Sequence, residues 1–351
     1  MDAALYHPEY GYYASSARRI GTDGADFFTA SDAGEWFGRC LARQIAEFDG
    51  LLGRPDPFVV VEWGAGRGLL ARDVRMALDA EFRELARRLE YVAVDRSAAM
   101  RVETAERAGV RALAPEDLPG TVGPHCGCAV AVELFDALPV HRVRRRQGRL
   151  VEVAVGLDRD GSLCEVEVES AAAVLDEAER WGLAPADGDE AEVGLELAPT
   201  LARMSASLRR GFVIVVDYGH EAHELRGGAY GSGTLLAYSR HRTSTDYLAR
   251  AGLQDLTAHV AWSALVEYGR RVGLRWLGAT TQDRFLVANG ILEAFESPPG
   301  RHSDPEEVRK RMRAMTLIHP GGMGRAFQVH LFAAGFESAP VVGGLADPFS
   351  R

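Results

Sequence analysis

The stretch "FVVVEWGAGRGLLARDV" (58–74) constrains this chain more than any other. A run of β-branched and aromatic residues predicts a buried strand that ends in Glu62. Gly64, Gly66 and Gly68 then alternate, and a helical pattern begins at Leu69. Glycines permit positive φ and let a ligand approach the backbone, while a helix N-terminus offers unpaired N–H groups. The plainer alternative is a tight strand-to-helix connection with no ligand. The same unit recurs: "YVAVD" (91–95), "CAVAVE" (128–133) and "GFVIVVDYG" (211–219) alternate with helical stretches such as "SAAMRVETAERAG". Continuous apolar runs between helices imply parallel strands covered on both faces. The expected fold class is therefore α/β, a Rossmann-like, doubly wound sheet.

The rest of the chain divides around that sheet. Residues 1–50 carry aromatics and then a helical pattern in "EWFGRCLARQIAEF", and are read as an N-terminal lid and helix. Residues 51–150 form the cofactor-binding core. An alternating polar and apolar pattern, with Asp160-Gly161 suited to a hairpin turn, predicts an antiparallel insertion over 151–200. The core continues over 201–240. Residues 241–351 are expected to be a helical region closed by a last core strand at "RAFQVHLFAA" (325–334).

A net charge of −10, from 40 basic and 50 acidic side chains, argues against a general nucleic-acid binder, which needs a concentrated basic face. No apolar run approaches the roughly 20 residues of a membrane span, and the first residues lack a signal-peptide pattern. Four scattered cysteines suit a reducing compartment, so a cytoplasmic protein is expected. A homodimer is compatible with the sequence, which does not fix the oligomeric state. No metal site is expected.

A dinucleotide fingerprint would place its third glycine at position 69, which is Leu69. The observed spacing behind the acidic strand end instead resembles motif I of the class I methyltransferases, which bind S-adenosyl-L-methionine. That resemblance implies cofactor contacts from Glu62, Gly64, Gly66 and Gly68, ribose binding by Asp95, and an adenine contact from Asp117. Further segments, including "LYHPEYGYY", "VELFDALPV", "VIVVDYG", "LQDLTAHVAWSAL" and "MGRAFQV", are similar in order to the MidA-like methyltransferases. This group includes a mitochondrial complex I assembly factor that methylates an arginine. The resemblance implies a methyltransferase sheet with added helices and a protein arginine as acceptor. The chain departs from the family at Ser31-Asp32, where Pro-Glu is usual, and at Val132, where Asn is usual.

In open α/β sheets ligands collect at the carboxyl ends of strands. "VELFDALPV" (132–140) places Glu133 and Asp136 at such an end. Paired carboxylates can hold a guanidinium and assist its proton loss during methyl transfer. Glu133 and Asp136 are thus the expected catalytic residues, with Phe135 in the pocket wall. Asp136 has a competing reading as a helix cap. The resemblance further implies that Tyr6, His7, Tyr12, Asp26 and Thr29 cover the site, and Asp217 and Tyr218 are expected to complete the acceptor pocket. Two alternatives stay open: a small guanidine or amine metabolite as acceptor, and a non-catalytic assembly factor that binds the cofactor.

Overall fold

A computed structural model of the protein describes residues 1–14, 29–240, 242–296 and 304–348. Its centre is a mixed sheet of seven main strands: β1 (Phe58–Trp63), β2 (Leu89–Val94), β3 (Arg111–Leu113), β4 (His125–Val132), β5 (Leu208–His220), β6 (Arg275–Thr281) and β7 (Phe327–Ala334). They lie in the order β6-β7-β5-β4-β1-β2-β3. The five strands from β3 to β5 run parallel, whereas β7 is antiparallel to both β5 and β6. The strand order reverses at β1, which places the turn after β1 where a doubly wound sheet opens a crevice.

Alternation along β1 shows why a continuous apolar run is needed. Phe58 and Val60 point into one core, where Phe37, Leu41, Ile45 and Phe48 of the helix Glu35–Leu51 and Leu70, Val74 and Leu78 of the helix Leu69–Glu81 pack. Val59, Val61 and Trp63 point into the other, against Leu201 and Met204 of the helix Leu197–Ala206 and Trp262 and Leu265 of the helix Trp262–Arg271. Both faces are dry, so every position of the strand is apolar except Glu62, one residue before its end. Phe48 stacks on Phe212 of β5 with ring centroids 3.9 Å apart, joining the N-terminal helix to the sheet centre.

Two features differ from the expected organisation. The antiparallel sheet begins at His141, earlier than expected, because the strand His141–Arg146 pairs with both Arg149–Leu157 and Glu190–Val193. The latter lies partly in a stretch that reads as an acidic loop. The region after 240 is less helical than expected: it supplies Arg242–Ser244 and Asp255–Thr257, which flank Leu236–Ser239 in a three-stranded sheet, and β6. Strand β6 is a half-exposed edge strand, so it lacks the apolar run by which its neighbours announce themselves.

Candidate active site

The glycine turn after β1 adopts the conformation its residues permit. Gly64, Gly66 and Gly68 have φ of 72°, 53° and 73°, in the left-handed region that favours glycine. An added Cβ at Gly68 would come 2.8 Å from Thr104 Cα, so this glycine lets the following helix approach its neighbour. At Gly66 an added Cβ would meet only a carbonyl oxygen 4.0 Å away, so the space beside its backbone is open. The Gly66 N–H donates to Asp95 Oδ2 at 2.9 Å, and Ser97 N–H donates to Asp95 Oδ1 at 2.8 Å. The Asp95 carboxylate is thereby fixed at the end of β2. Burial raises its pKa and these N–H donors oppose the rise.

Gly64, Gly66 and Asp95 line one cavity, walled also by Glu62, Pro115 and Glu133. Gly68 is not in its wall: its backbone is spent on the close approach to Thr104, which corrects the expected cofactor contact. Apolar contributions from Leu70, Met100 and Leu138 suit a purine ring, and Asp95 retains lone pairs for hydroxyl donors. Glu62 sits at the floor, where Tyr91 Oη donates to it at 2.8 Å and burial pushes its carboxyl up to about 8. Asp117 does not stand in this wall. It precedes a short helical turn with its side chain exposed, and Pro115 of the same segment lines the cavity instead. The expected adenine contact from Asp117 is corrected accordingly.

The N-terminal aromatics roof the cavity. Tyr6 and Tyr13 stack with centroids 5.5 Å apart and both line it. Tyr6 Oη donates to the Ala137 carbonyl at 2.9 Å, Ser97 Oγ donates to the Tyr13 carbonyl at 2.8 Å, and the Arg96 guanidinium lies 4.1 Å from the Tyr6 ring centroid. The segment therefore bridges the ends of β2 and β4. Thr29 also lines the cavity. His7 does not reach the site: it is exposed and its Nδ1 accepts the backbone N–H groups of Glu9 and Tyr10, a turn role. Tyr12 is buried in a separate apolar cluster with Leu5 and Leu256, so its neighbour Tyr13 takes the place expected for it. Asp26 lies outside the described residues.

After β4 the chain turns sharply. Glu133 has φ of 52°, unusual for a residue with a side chain, and its N–H donates to the Val216 carbonyl at 2.9 Å. Its Oε1 accepts the Ala30 N–H at 2.7 Å, and burial among protein atoms pushes its carboxyl up to about 8. No helix follows: residues 135–138 form a turn, which removes the helix-cap reading of Asp136. Asp136 is buried; its Oδ2 accepts Tyr218 Oη at 2.5 Å, while Oδ1 has no hydrogen-bond partner among the described residues. Burial raises its pKa as well. Phe135 packs in the core with Trp63 and Leu138 and lines neither pocket, a correction that follows from the sharp turn at Glu133, which ends the alternation of β4.

Glu133 also lines a second pocket, with Asp136, Tyr218, Tyr238, Asp255 and His259. Asp255 accepts Tyr13 Oη at 2.8 Å. Asp217, expected in the wall, lies behind it: fully buried, it accepts the N–H groups of Phe135 at 2.9 Å and Asp136 at 3.3 Å through Oδ2. It braces the acidic turn from beneath. Burial and the Asp136 charge raise its pKa well above the ordinary range. Tyr13, Tyr238, Asp255 and His259 were not singled out from the sequence as site residues. Only Tyr13 had a local signal, the aromatic density of "LYHPEYGYY".

Comparison with known proteins decides what this geometry is for. The model of a family described as S-adenosyl-L-methionine-dependent methyltransferase, Methyltransf_28, matches residues 40–280. The chain belongs to this methyltransferase family. Its cofactor is S-adenosyl-L-methionine, and the open glycine turn, oriented Asp95 and apolar walls of the first cavity fit that group. A crystal structure from Burkholderia thailandensis with S-adenosyl-homocysteine bound is 31% identical, covers 98% of this chain and 88% of its own, and superposes with a TM-score of 0.86. Among curated proteins, the methyltransferase is 28% identical to "Protein arginine methyltransferase NDUFAF7 homolog, mitochondrial" of Drosophila melanogaster, over 98% of this chain and 83% of that one. It is 25% identical to "Protein arginine methyltransferase NDUFAF7, mitochondrial" of Homo sapiens, over 93% of this chain and 77% of that one. The expectation of a cytoplasmic protein is overturned by these relatives, which are named mitochondrial. Compartment is dictated by import machinery acting on targeting signals, and neither composition nor core patterning reports it.

Proposed function

We propose that the methyltransferase transfers a methyl group to a guanidinium nitrogen of a protein arginine, held by Glu133 and Asp136. The observation that carries this reading is the position of Glu133, in the wall common to the cofactor cavity and the second pocket. A cation suits that second pocket. Glu133, Asp136 and Asp255 contribute three carboxylates to it, and Asp136 keeps an oxygen without a partner among the described residues. The names of the fly and human relatives support arginine over other cations.

S-adenosyl-L-methionine supplies an electrophilic methyl group on a sulfonium. The chain's own residues align the nucleophile, exclude water and take up the proton. Two carboxylates offer parallel acceptors to the planar guanidinium fork and hold one nitrogen for in-line attack. As the N–C bond forms that nitrogen loses a proton. Burial pushes the Glu133 carboxyl up to about 8, so near neutral pH it is largely protonated until a guanidinium beside it favours the ionised form, which holds the cation and then accepts the proton. Tyr218, through its hydrogen bond to Asp136, and Asp217, through the turn's N–H groups, keep the second acid in place.

The reading is tested by incubating the enzyme with methyl-labelled cofactor and a cell extract, then identifying the labelled product by mass spectrometry. Label on protein arginine is expected. Label only on a small guanidine or amine metabolite would replace the protein acceptor, and cofactor binding without transfer to anything would make the chain a non-catalytic binder.

A further inference from the structure

The Glu133 carboxylate is held by a chain of contacts that begins in the glycine turn. Its Oε1 accepts the Ala30 N–H at 2.7 Å. Ala30 opens a short 3-10 helix, Ala30–Ala33, and that helix is locked by a reciprocal cap. Thr29 Oγ1 donates to Asp32 Oδ2 at 2.8 Å, Thr29 N–H donates to the same oxygen at 3.2 Å, and Asp32 N–H donates back to Thr29 Oγ1 at 3.3 Å. The other Asp32 oxygen receives the guanidinium of Arg67, the residue between Gly66 and Gly68. The Asp32 side chain is 5% exposed and that of Arg67 14%, so this ion pair is shielded from water rather than a loose surface contact.

We propose that Asp32 and Arg67 are positioning residues for Glu133, coupling the cofactor turn to the acceptor carboxylate. The physical case is one of connectivity. Glu133 leaves β4 with a strained positive φ, and its backbone N–H is spent on Val216, so the direction of its side chain depends on the N–H that Ala30 presents. Ala30 in turn depends on the Thr29–Asp32 cap, and Asp32 on Arg67. Asp32 is not in the wall of either cavity, whereas Arg67 lines the first. The pair therefore acts on the acceptor side through other residues. A glutamate at 32 would retain the charge but reach one methylene further. The inference rests on the proposed role of Glu133, and its test does not require the acceptor.

The test is an NMR titration of the enzyme labelled with glutamate carrying carbon-13 in its side-chain carboxyl, with S-adenosyl-homocysteine bound. The Glu133 signal is assigned as the one missing from Glu133→Gln. The Ala30 N–H holds the Glu133 pKa below what burial alone would give. The Asp32 charge by itself raises the Glu133 pKa, so charge loss alone in Asp32→Asn would lower the midpoint. The positioning role requires that loss of the Ala30 N–H outweigh this and raise the midpoint by about half a pH unit or more. Asp32→Glu, which keeps the charge, should restore at least part of the shift. Affinity for S-adenosyl-homocysteine should stay within about threefold of the original in Asp32→Asn, which also reports that the variant is folded. Should Asp32→Asn fail to fold, Arg67→Gln breaks the same ion pair from the other side. Because losing a positive charge raises a nearby carboxyl by itself, this variant is read by hydrogen exchange at the Ala30 N–H, which should quicken, and unchanged exchange overturns the positioning role. An unchanged or lowered Glu133 midpoint in folded Asp32→Asn overturns the positioning role, as does an equal shift in Asp32→Asn and Asp32→Glu. A synthetic arginine peptide, acetyl-Gly-Arg-Gly-amide, supplies a separate readout. Absence of transfer to it counts against the arginine reading and leaves the titration to decide the positioning role.

Discussion

The two halves of the active site are built in opposite ways. The cofactor half is mostly local: Glu62, the glycine turn and Asp95 fall within 34 residues and follow directly from two adjacent strand ends. The proposed acceptor half draws Tyr13, Glu133, Asp136, Tyr218, Tyr238 and Asp255 from across the chain, with Tyr13 and Asp255 joined over 242 positions. A backbone that cradles a ligand can be specified by a short glycine pattern, because conformation does the work. A pocket of converging side chains exists only once the sheet and its additions have closed around it. Cofactor and acceptor recognition should therefore fail separately.

The largest effect is expected from Glu133→Gln. Turnover should fall by about 10²- to 10⁴-fold, while the affinity for S-adenosyl-L-methionine measured by calorimetry stays within about threefold. Unchanged turnover would remove Glu133 from the reaction. The reverse split should come from Gly66→Val, whose β-branched side chain is poorly tolerated at φ of 53°. The free turn relieves that strain by leaving the binding conformation, and restoring it costs about 1–3 kcal/mol, read as roughly five- to 150-fold weaker cofactor binding. Full affinity in that variant would show that the turn does not carry the cofactor.

Each region holds a carboxyl that burial pushes up to about 8, Glu62 in the one and Glu133 in the other, so a single substitution separates their pH dependence. Burial raises the Glu133 carboxyl from 4.5 to about 8, so the folded protein holds a proton there that the unfolded chain has lost. Its contribution to stability is greatest below the ordinary value and declines as pH rises from about 5 to 8. Glu133→Gln removes that decline. Relative to the original protein, the variant should gain stability on going from pH 5 to pH 8, by a few kcal/mol at most on the order set by one buried carboxylate. Thermal unfolding at the two pH values measures it, and a constant difference would contradict the raised pKa. The smallest effects are expected at Asp117→Ala and His7→Ala. Both side chains are exposed and outside the two cavities, so cofactor affinity and turnover should remain within about twofold.

Much of the fold could be read from the chain before folding. Strands β1, β2, β4, β5 and β7 carry largely apolar runs, because both of their faces are covered and the pattern needs no knowledge of the partner. The edge strand β6 and the short β3 escaped, since half-exposed strands mix polar and apolar residues. In the site, the glycines, Asp95 and the strand-end acids were legible for the same local reason. Asp117 and Phe135 were misplaced because one residue along a turn decides between cavity, core and solvent, and the pattern does not fix that register. The same ambiguity exchanged Tyr12 for Tyr13.

By itself, then, the sequence determined a parallel sheet, a ligand-binding turn at its switch point and a pair of acids at a neighbouring strand end, all consequences of periodicity and glycine's freedom at positive φ. Tertiary structure decided the rest. It made Asp217 a brace beneath the acidic turn instead of a pocket residue, gave Asp136 a tyrosine partner instead of a helix to cap, and set Glu133 between two cavities. Those roles depend on which groups lie within hydrogen-bond reach after distant segments pack, and no spacing along the chain encodes that distance.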